Sequence, residues 1–157
     1  TNLFLTFRIY MLVDDLKTLL ATSFSYYLKT ANYHWNVEGD NFPQYHLFLG
    51  DLYADVYNTI DPLAEYIRSL QAYTPASLVR FQELTDIEDQ LELVQPMQLF
   101  EQLLADTNLL TAMLMDVFDT ASRERQQGIA NFIAERIDAM QKYAWQIRSI
   151  LKPGVGD

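Results

Sequence analysis

Helical periodicity constrains this chain more than anything else in it. From Leu12 the apolar residues return at Leu16, Leu19, Leu20, Phe24, Tyr27, Leu28 and Ala31, a spacing near 3.6 that gathers them on one side of a helix. Further runs follow the same period. Tyr45, Leu49, Leu52, Tyr53, Val56, Ile60, Leu63, Ile67 and Leu70 form the second, and Leu99, Leu103, Leu110, Leu114, Val117 and Phe118 the third. Ile129, Phe132, Ile133, Ile137, Met140, Ala144, Ile147 and Leu151 form the fourth. The strand-like alternation of apolar and polar residues does not compete with this pattern. The expectation is one all-α domain over residues 1–157, with helices at about 8–38, 41–70, 96–121 and 125–151.

Punctuation sets the order of packing. Gly39 suits a helix stop, and Asp40 or Asn41 can cap a new helix with Pro43 in its first turn, where the missing N–H costs nothing. Pro62 lies inside the second run. Its ring removes the donor for the Asn58 carbonyl, and because the apolar period continues through Leu63 and Ile67 a kink is expected rather than a break. Tight links join helices one to two and three to four. The middle link, from Gln71 to Pro96, is about 25 residues, longer than an ordinary helix–helix turn. It can run the length of a bundle, with a turn or two of helix near Ser77–Phe81. A plain up-down bundle with a disordered loop is the other arrangement this pattern allows.

Charge narrows the partners. Eleven Lys and Arg stand against 21 Asp and Glu, a formal charge of −10, which repels a phosphate backbone. The densest basic cluster, Arg123-Glu124-Arg125, carries its own acid, and neither Thr1-Asn2-Leu3-Phe4 nor the stretch from Lys152 to Asp157 is a basic arm. Direct DNA binding is not expected. With no cysteine there is neither disulfide nor thiolate site. The apolar stretches fall short of membrane-spanning length, and the first residues do not read as a signal segment, so no membrane association and a cytoplasmic location are expected.

The candidate chemistry lies in one stretch. The two histidines, His34 and His46, are twelve residues apart, and Asp61 and Glu65 follow at i,i+4 spacing. Imidazole and carboxylate together suit borderline divalent ions such as iron or zinc, and residues four apart on a helix can converge on one ion. Two histidines each satisfied by a hydrogen bond would be the alternative.

Three stretches carry a resemblance. They are Ala31-Asn32-Tyr33-His34-Trp35-Asn36-Val37-Glu38-Gly39, then Asn41-Phe42-Pro43-Gln44-Tyr45-His46, then Ile60-Asp61-Pro62-Leu63-Ala64-Glu65-Tyr66-Ile67-Arg68-Ser69-Leu70. Together they resemble the Dps family, the ferritin-like mini-ferritins. The resemblance implies a ferritin-like four-helix bundle with a long crossover carrying a short helix between helices two and three. It implies a homo-oligomer, a hollow dodecamer, with ferroxidase sites at two-fold interfaces. There His34 and His46 of one subunit would face Asp61 and Glu65 of its neighbour, with Glu65 bridging two metals. Iron(II) would be oxidised by hydrogen peroxide or oxygen and stored as ferric mineral, with zinc as a competitor.

The departures from the family pattern carry their own expectations. An aspartate usually stands four residues after the second histidine; here that residue is Gly50, with Asp51 beside it, about 100° round the helix. The second iron site is therefore expected to be weakened, and Gly50→Asp to strengthen it. A metal-binding shell with impaired turnover is the alternative function, and a DNA-compacting module a more distant one. Trp35 is expected near the metals or as an interface aromatic, and Asp14 and Asp15 as solvated or capping residues. Glu124, Glu135 and Asp138 are the acidic candidates for a three-fold pore, with Asn131 where an aspartate is common in the family.

Overall fold

The computed structural model describes residues 3–155. Among them are six helical segments: α1 (Leu3–Asn36), α2 (Phe42–Tyr57), α3 (Ile60–Ser69), α4 (Leu78–Leu84), α5 (Pro96–Arg123) and α6 (Gln127–Leu151). The four long arms are α1, α2 with α3, α5, and α6. Cross-helix contacts fix their directions. Along α1 and α5, Tyr26 meets Thr107, Lys29 meets Asp106 and Tyr33 meets Gln102, so the two run antiparallel. Asp55 pairs with Arg136 and Phe48 touches Tyr143, so α2 and α6 are antiparallel too. With short turns joining α1 to α2 and α5 to α6, only the middle link crosses the bundle, and the all-α, long-crossover architecture is the observed one.

The apolar stripes meet as their period requires. Leu12, Leu16, Leu19, Leu49, Leu52, Ile67, Phe100 and Ile133 are fully buried, and burying each such side chain contributes roughly 1.5–3 kcal/mol. Polar atoms inside the core find partners: the Tyr26 hydroxyl and Thr107 Oγ1 lie 2.8 Å apart, and Thr107 donates to the Leu103 carbonyl at 2.7 Å. Burial pushes the Tyr26 phenol far up, so it stays a neutral donor.

The second arm is interrupted rather than continuous. α2 stops at Tyr57 and α3 starts at Ile60, so the kink expected at Pro62 within one helix over 41–70 takes the form of a two-residue interruption. The cause is local. Pro62 offers no N–H to Asn58, Thr59 N–H turns to Val56 O at 3.0 Å, and Thr59 Oγ1 donates to the same carbonyl at 2.7 Å. Asn58 and Thr59 keep right-handed backbone angles (φ −66°, ψ −11°; φ −88°, ψ −15°), and Leu63 N–H resumes the ladder to Thr59 O. The axis is perturbed without the chain turning back.

The crossover is ordered by contacts to α1. Ser77 caps α4 by accepting from Arg80 N–H at 3.2 Å. Phe81 then packs on Phe24, the Asp86 N–H reaches Thr22, and Gln90 receives Asn32 and Tyr33. The segment thus travels along α1 toward the start of α5. Two helices end in Schellman motifs without glycine: Gln71 (φ +66°) follows α3 and Arg125 (φ +57°) follows α5. In each, the next N–H reaches back to Ile67 O or Ala121 O.

Candidate metal centre

The α1–α2 turn brings the two histidines together. α1 ends at Asn36, Gly39 takes φ +119°, a conformation that favours glycine, and α2 starts after Asn41 with Pro43 in its first turn. The imidazoles of His34 and His46 stack at 3.8 Å between centroids, 13° from parallel. Each is tied to the other's backbone. His34 Nδ1 lies 2.6 Å from His46 O, and His46 Nδ1 lies 2.7 Å from His34 O. A carbonyl only accepts, so each Nδ1 carries its proton and donates. In the neutral rings Nε2 is then the free lone pair, the atom a metal takes. Phe42 stacks on His46 at 4.9 Å, and Tyr53 meets His34 edge-on at 5.1 Å.

The carboxylates form a second, separate pair. Asp61 and Glu65 are exposed on α3, one turn apart. The Glu65 carboxyl is held above its ordinary range, first by a hydrogen bond with Asp61 and then by the Asp61 charge. Two carboxylates that close share a proton or a cation. Among the described residues no three His, Asp or Glu side chains converge within one chain. The fold therefore unites His34 with His46 and Asp61 with Glu65, but does not join the two pairs.

This pairing has a pH signature. A carboxyl whose folded pKa is raised contributes stability below its unfolded value, about 4.5, and loses it as pH climbs through the folded value. Asp61→Asn removes the cause. In metal-free protein the stability of the parent relative to Asp61→Asn should fall as pH rises from about 4.5 through the raised Glu65 value, and added salt should flatten the difference because both groups are exposed. Parallel melting curves over that range would contradict the pairing.

Asp15 lies about 28 Å along α1 from His34, at 1.5 Å per residue, beside Asp116 and Asp14. Burial and those charges raise its carboxyl. It does not extend the histidine site. Asp51 is exposed and stands about 100° round α2 from Gly50; the Tyr143 phenol on α6 is pushed up to about 12 by burial and by Asp55. Asp138 pairs with Lys142 at 2.9 Å, Glu135 is exposed and Glu124 is half-buried. Trp35 is exposed in a groove with Leu28, Leu91 and Leu93. The reciprocal backbone locks on the histidines were not readable from sequence; the short, glycine-containing link was the one available signal.

No helix among the described residues is long and apolar enough to cross a membrane. The ferritin-like domain model matches residues 13–153. A DNA protection during starvation protein of Helicobacter pylori is 25% identical over 139 residues, covering 88% of this chain and 96% of that protein. Among solved structures, the Dps protein of Vibrio cholerae O1 superposes with a TM-score of 0.89 at 26% identity, covering 97% of each chain. It is described as a member of a broad superfamily of ferritin-like diiron-carboxylate proteins. Dps from Thermosynechococcus elongatus reaches 0.92 at 22% identity over 96% of each chain, a likeness of fold. Topology, coverage and the family-model match agree: this chain belongs to the ferritin-like family, in its Dps group.

Proposed function

We propose that the protein oxidises iron(II) and stores the ferric product, at sites shared between subunits of a homo-oligomer. The observation that carries the reading is the stacked histidine pair with both Nδ1 atoms committed to backbone carbonyls, which leaves two preset Nε2 donors. Two imidazoles alone make an incomplete iron site. Asp61 and Glu65 of a second copy supply the missing oxygen ligands if the α1–α2 face of one chain meets α3 of another across a two-fold axis. The exposed Leu28, Trp35, Leu91 and Leu93 beside the C-terminal end of α1 support an assembly that covers them. A closed dodecamer is the assembly proposed.

Neutral imidazole favours iron(II), and carboxylate favours the harder iron(III). With hydrogen peroxide the step balances as two iron(II), one peroxide and two protons giving two iron(III) and two waters; dioxygen is the alternative oxidant. Glu65 is proposed to bridge the two ions. Its proximity to Asp61 disfavours the doubly charged pair in the free protein, and a bound cation removes that repulsion. Zinc, which accepts the same donors, is expected to compete.

A charge of −10 per chain, repeated over an oligomer, draws cations and repels duplex DNA. Any protection of DNA is therefore proposed to be indirect, by removing iron and peroxide together. Glu124, Glu135 and Asp138 remain the proposed acidic residues on the cation route, and a cytoplasmic location is the setting proposed.

The test is to add iron(II) and peroxide to the assembled protein and measure both the oxidation rate and the ferric iron that co-elutes with it. Oxidation faster than in protein-free buffer, with many ions retained per subunit, is expected. One ion held per site without acceleration would instead support the metal-binding shell with impaired turnover, the reading that Gly50 favours by supplying no oxygen ligand.

A further inference from the structure

Gly50 reads in sequence as a lost ligand. The structure gives it a different role. His46, Gly50 and Tyr53 follow one another at intervals of four and three residues, so they share one face of α2. The His34 ring lies on that face. It stacks on His46 at 3.8 Å, meets Tyr53 edge-on at 5.1 Å, and covers Gly50 between them. A Cβ built on Gly50 would stand 2.8 Å from His34 Cε1 and 3.1 Å from its Nδ1. Carbon atoms rest at about 3.5 Å or more, so even a methyl group requires the ring to retreat. The atom it presses on beside Cε1 is the Nδ1 that donates to His46 O at 2.6 Å.

We infer that Gly50 is a positioning residue for His34: the missing side chain at 50 is the seat that lets the imidazole dock on α2, stack on His46 and present Nε2. Three observations on different atoms converge here: the steric gap at position 50, the ring stack, and the hydrogen bond to a backbone carbonyl. They also alter the expectation for Gly50→Asp. A carboxylate there cannot simply be added as a ligand, because the space its Cβ needs is filled by the ring of an existing one. Asp51 does not compensate, since it stands about 100° round α2 from the face that His46, Gly50 and Tyr53 share.

Gly50 is a helix-interior glycine, a position where alanine ordinarily raises helix stability. A purely structural role would show only in the melting temperature. The positioning role predicts something else for Gly50→Ala: a melting temperature no lower than the parent's, together with about tenfold weaker zinc(II) binding, the lower end of what displacing an orienting contact costs. The metal arm rests on the proposed function, so a metal-free readout is paired with it.

The experiment has two arms on the assembled protein. The first is the metal-free crystal structure of Gly50→Ala, with Gly50→Asp as a second variant. The second is zinc(II) titration calorimetry of the parent and both variants, chosen because zinc does not turn over. The expected result is a His34 ring withdrawn from the His46 stack in both variants, with weakened zinc binding and retained folding. An unmoved ring with the Nδ1 bond intact would overturn the inference whatever the metal does. So would a zinc affinity in Gly50→Ala equal to a measurable affinity in the parent. A parent that binds no zinc, but whose His34 moves in the variants, would count against the proposed function while upholding the role of Gly50.

Discussion

Replacing either histidine by alanine is expected to remove most iron oxidation, with a loss of iron(II) affinity beyond the roughly 100-fold that marks the upper end for outer contacts alone. The structure adds a finer expectation. Each imidazole donates to the backbone carbonyl of the other residue, not to its side chain. In His46→Ala the carbonyl of residue 46 remains, and His34 keeps its hydrogen bond while losing its stacking partner. In His34→Ala the converse holds. Each single variant should therefore retain one oriented Nε2 and a residual, weak site. The double variant should lose that as well. Anaerobic iron(II) titration of the four proteins, followed by stopped-flow mixing with peroxide, measures both stages. Near-parent oxidation by the double variant would mean that the histidines are structural and that the oxidation site lies elsewhere.

Phe100→Ala is expected to give the largest loss of stability, about 3–5 kcal/mol. Phe100 is fully buried near the start of α5, and its ring meets Tyr45 edge-on at 4.8 Å and Phe48 at 6.3 Å. Those partners flank His46 on α2. The ring therefore fastens the first turns of α5 to the segment of α2 that carries a candidate ligand. Truncation leaves a void the size of a phenyl group where the start of α5 meets α2. Phe100→Leu, which fills more of that space, should cost less. Denaturant unfolding of metal-free protein reads the difference. A change under about 1 kcal/mol for Phe100→Ala would mean that α2 and α5 collapse onto each other without it.

Sequence made the helices legible because apolar burial imposes a period that local reading detects. Of the α1 stripe read from the chain, Leu12, Leu16, Leu19, Leu20 and Ala31 are buried, while Phe24 and Tyr27 are half-buried, Leu28 is exposed, and Val13, Tyr26 and Tyr33 are buried without belonging to it. The short helix in the crossover was readable from Ser77 and the apolar residues after it, since a serine cap is a local device. The helix ends near residues 70 and 121 were legible from where the period stops, but the left-handed residue that closes each was not. Gln71 and Arg125 occupy left-handed positions where sequence reasoning looks for glycine or asparagine, and they are held there by the Schellman hydrogen bonds that close each helix. The interruption at Asn58 and Thr59 was half visible. Pro62 gave the location, but how many residues leave the helical ladder depends on where Thr59 sends its N–H and hydroxyl.

The chain by itself determined the class of fold and the chemical kinds at the candidate site. Periodicity, link lengths and the side-chain functional groups are all properties of residues near one another in sequence. Tertiary structure alone decided which groups meet. It stacked His34 on His46 and set both tautomers through backbone carbonyls twelve residues away. It kept Asp61 and Glu65 as a separate pair on α3. It also turned Gly50 from an apparent vacancy in the ligand set into the seat of a ring on another helix. The physical reason is range. Helix formation and capping are settled within a few residues, whereas a steric gap or a lone pair's direction depends on atoms that only the packed bundle brings together.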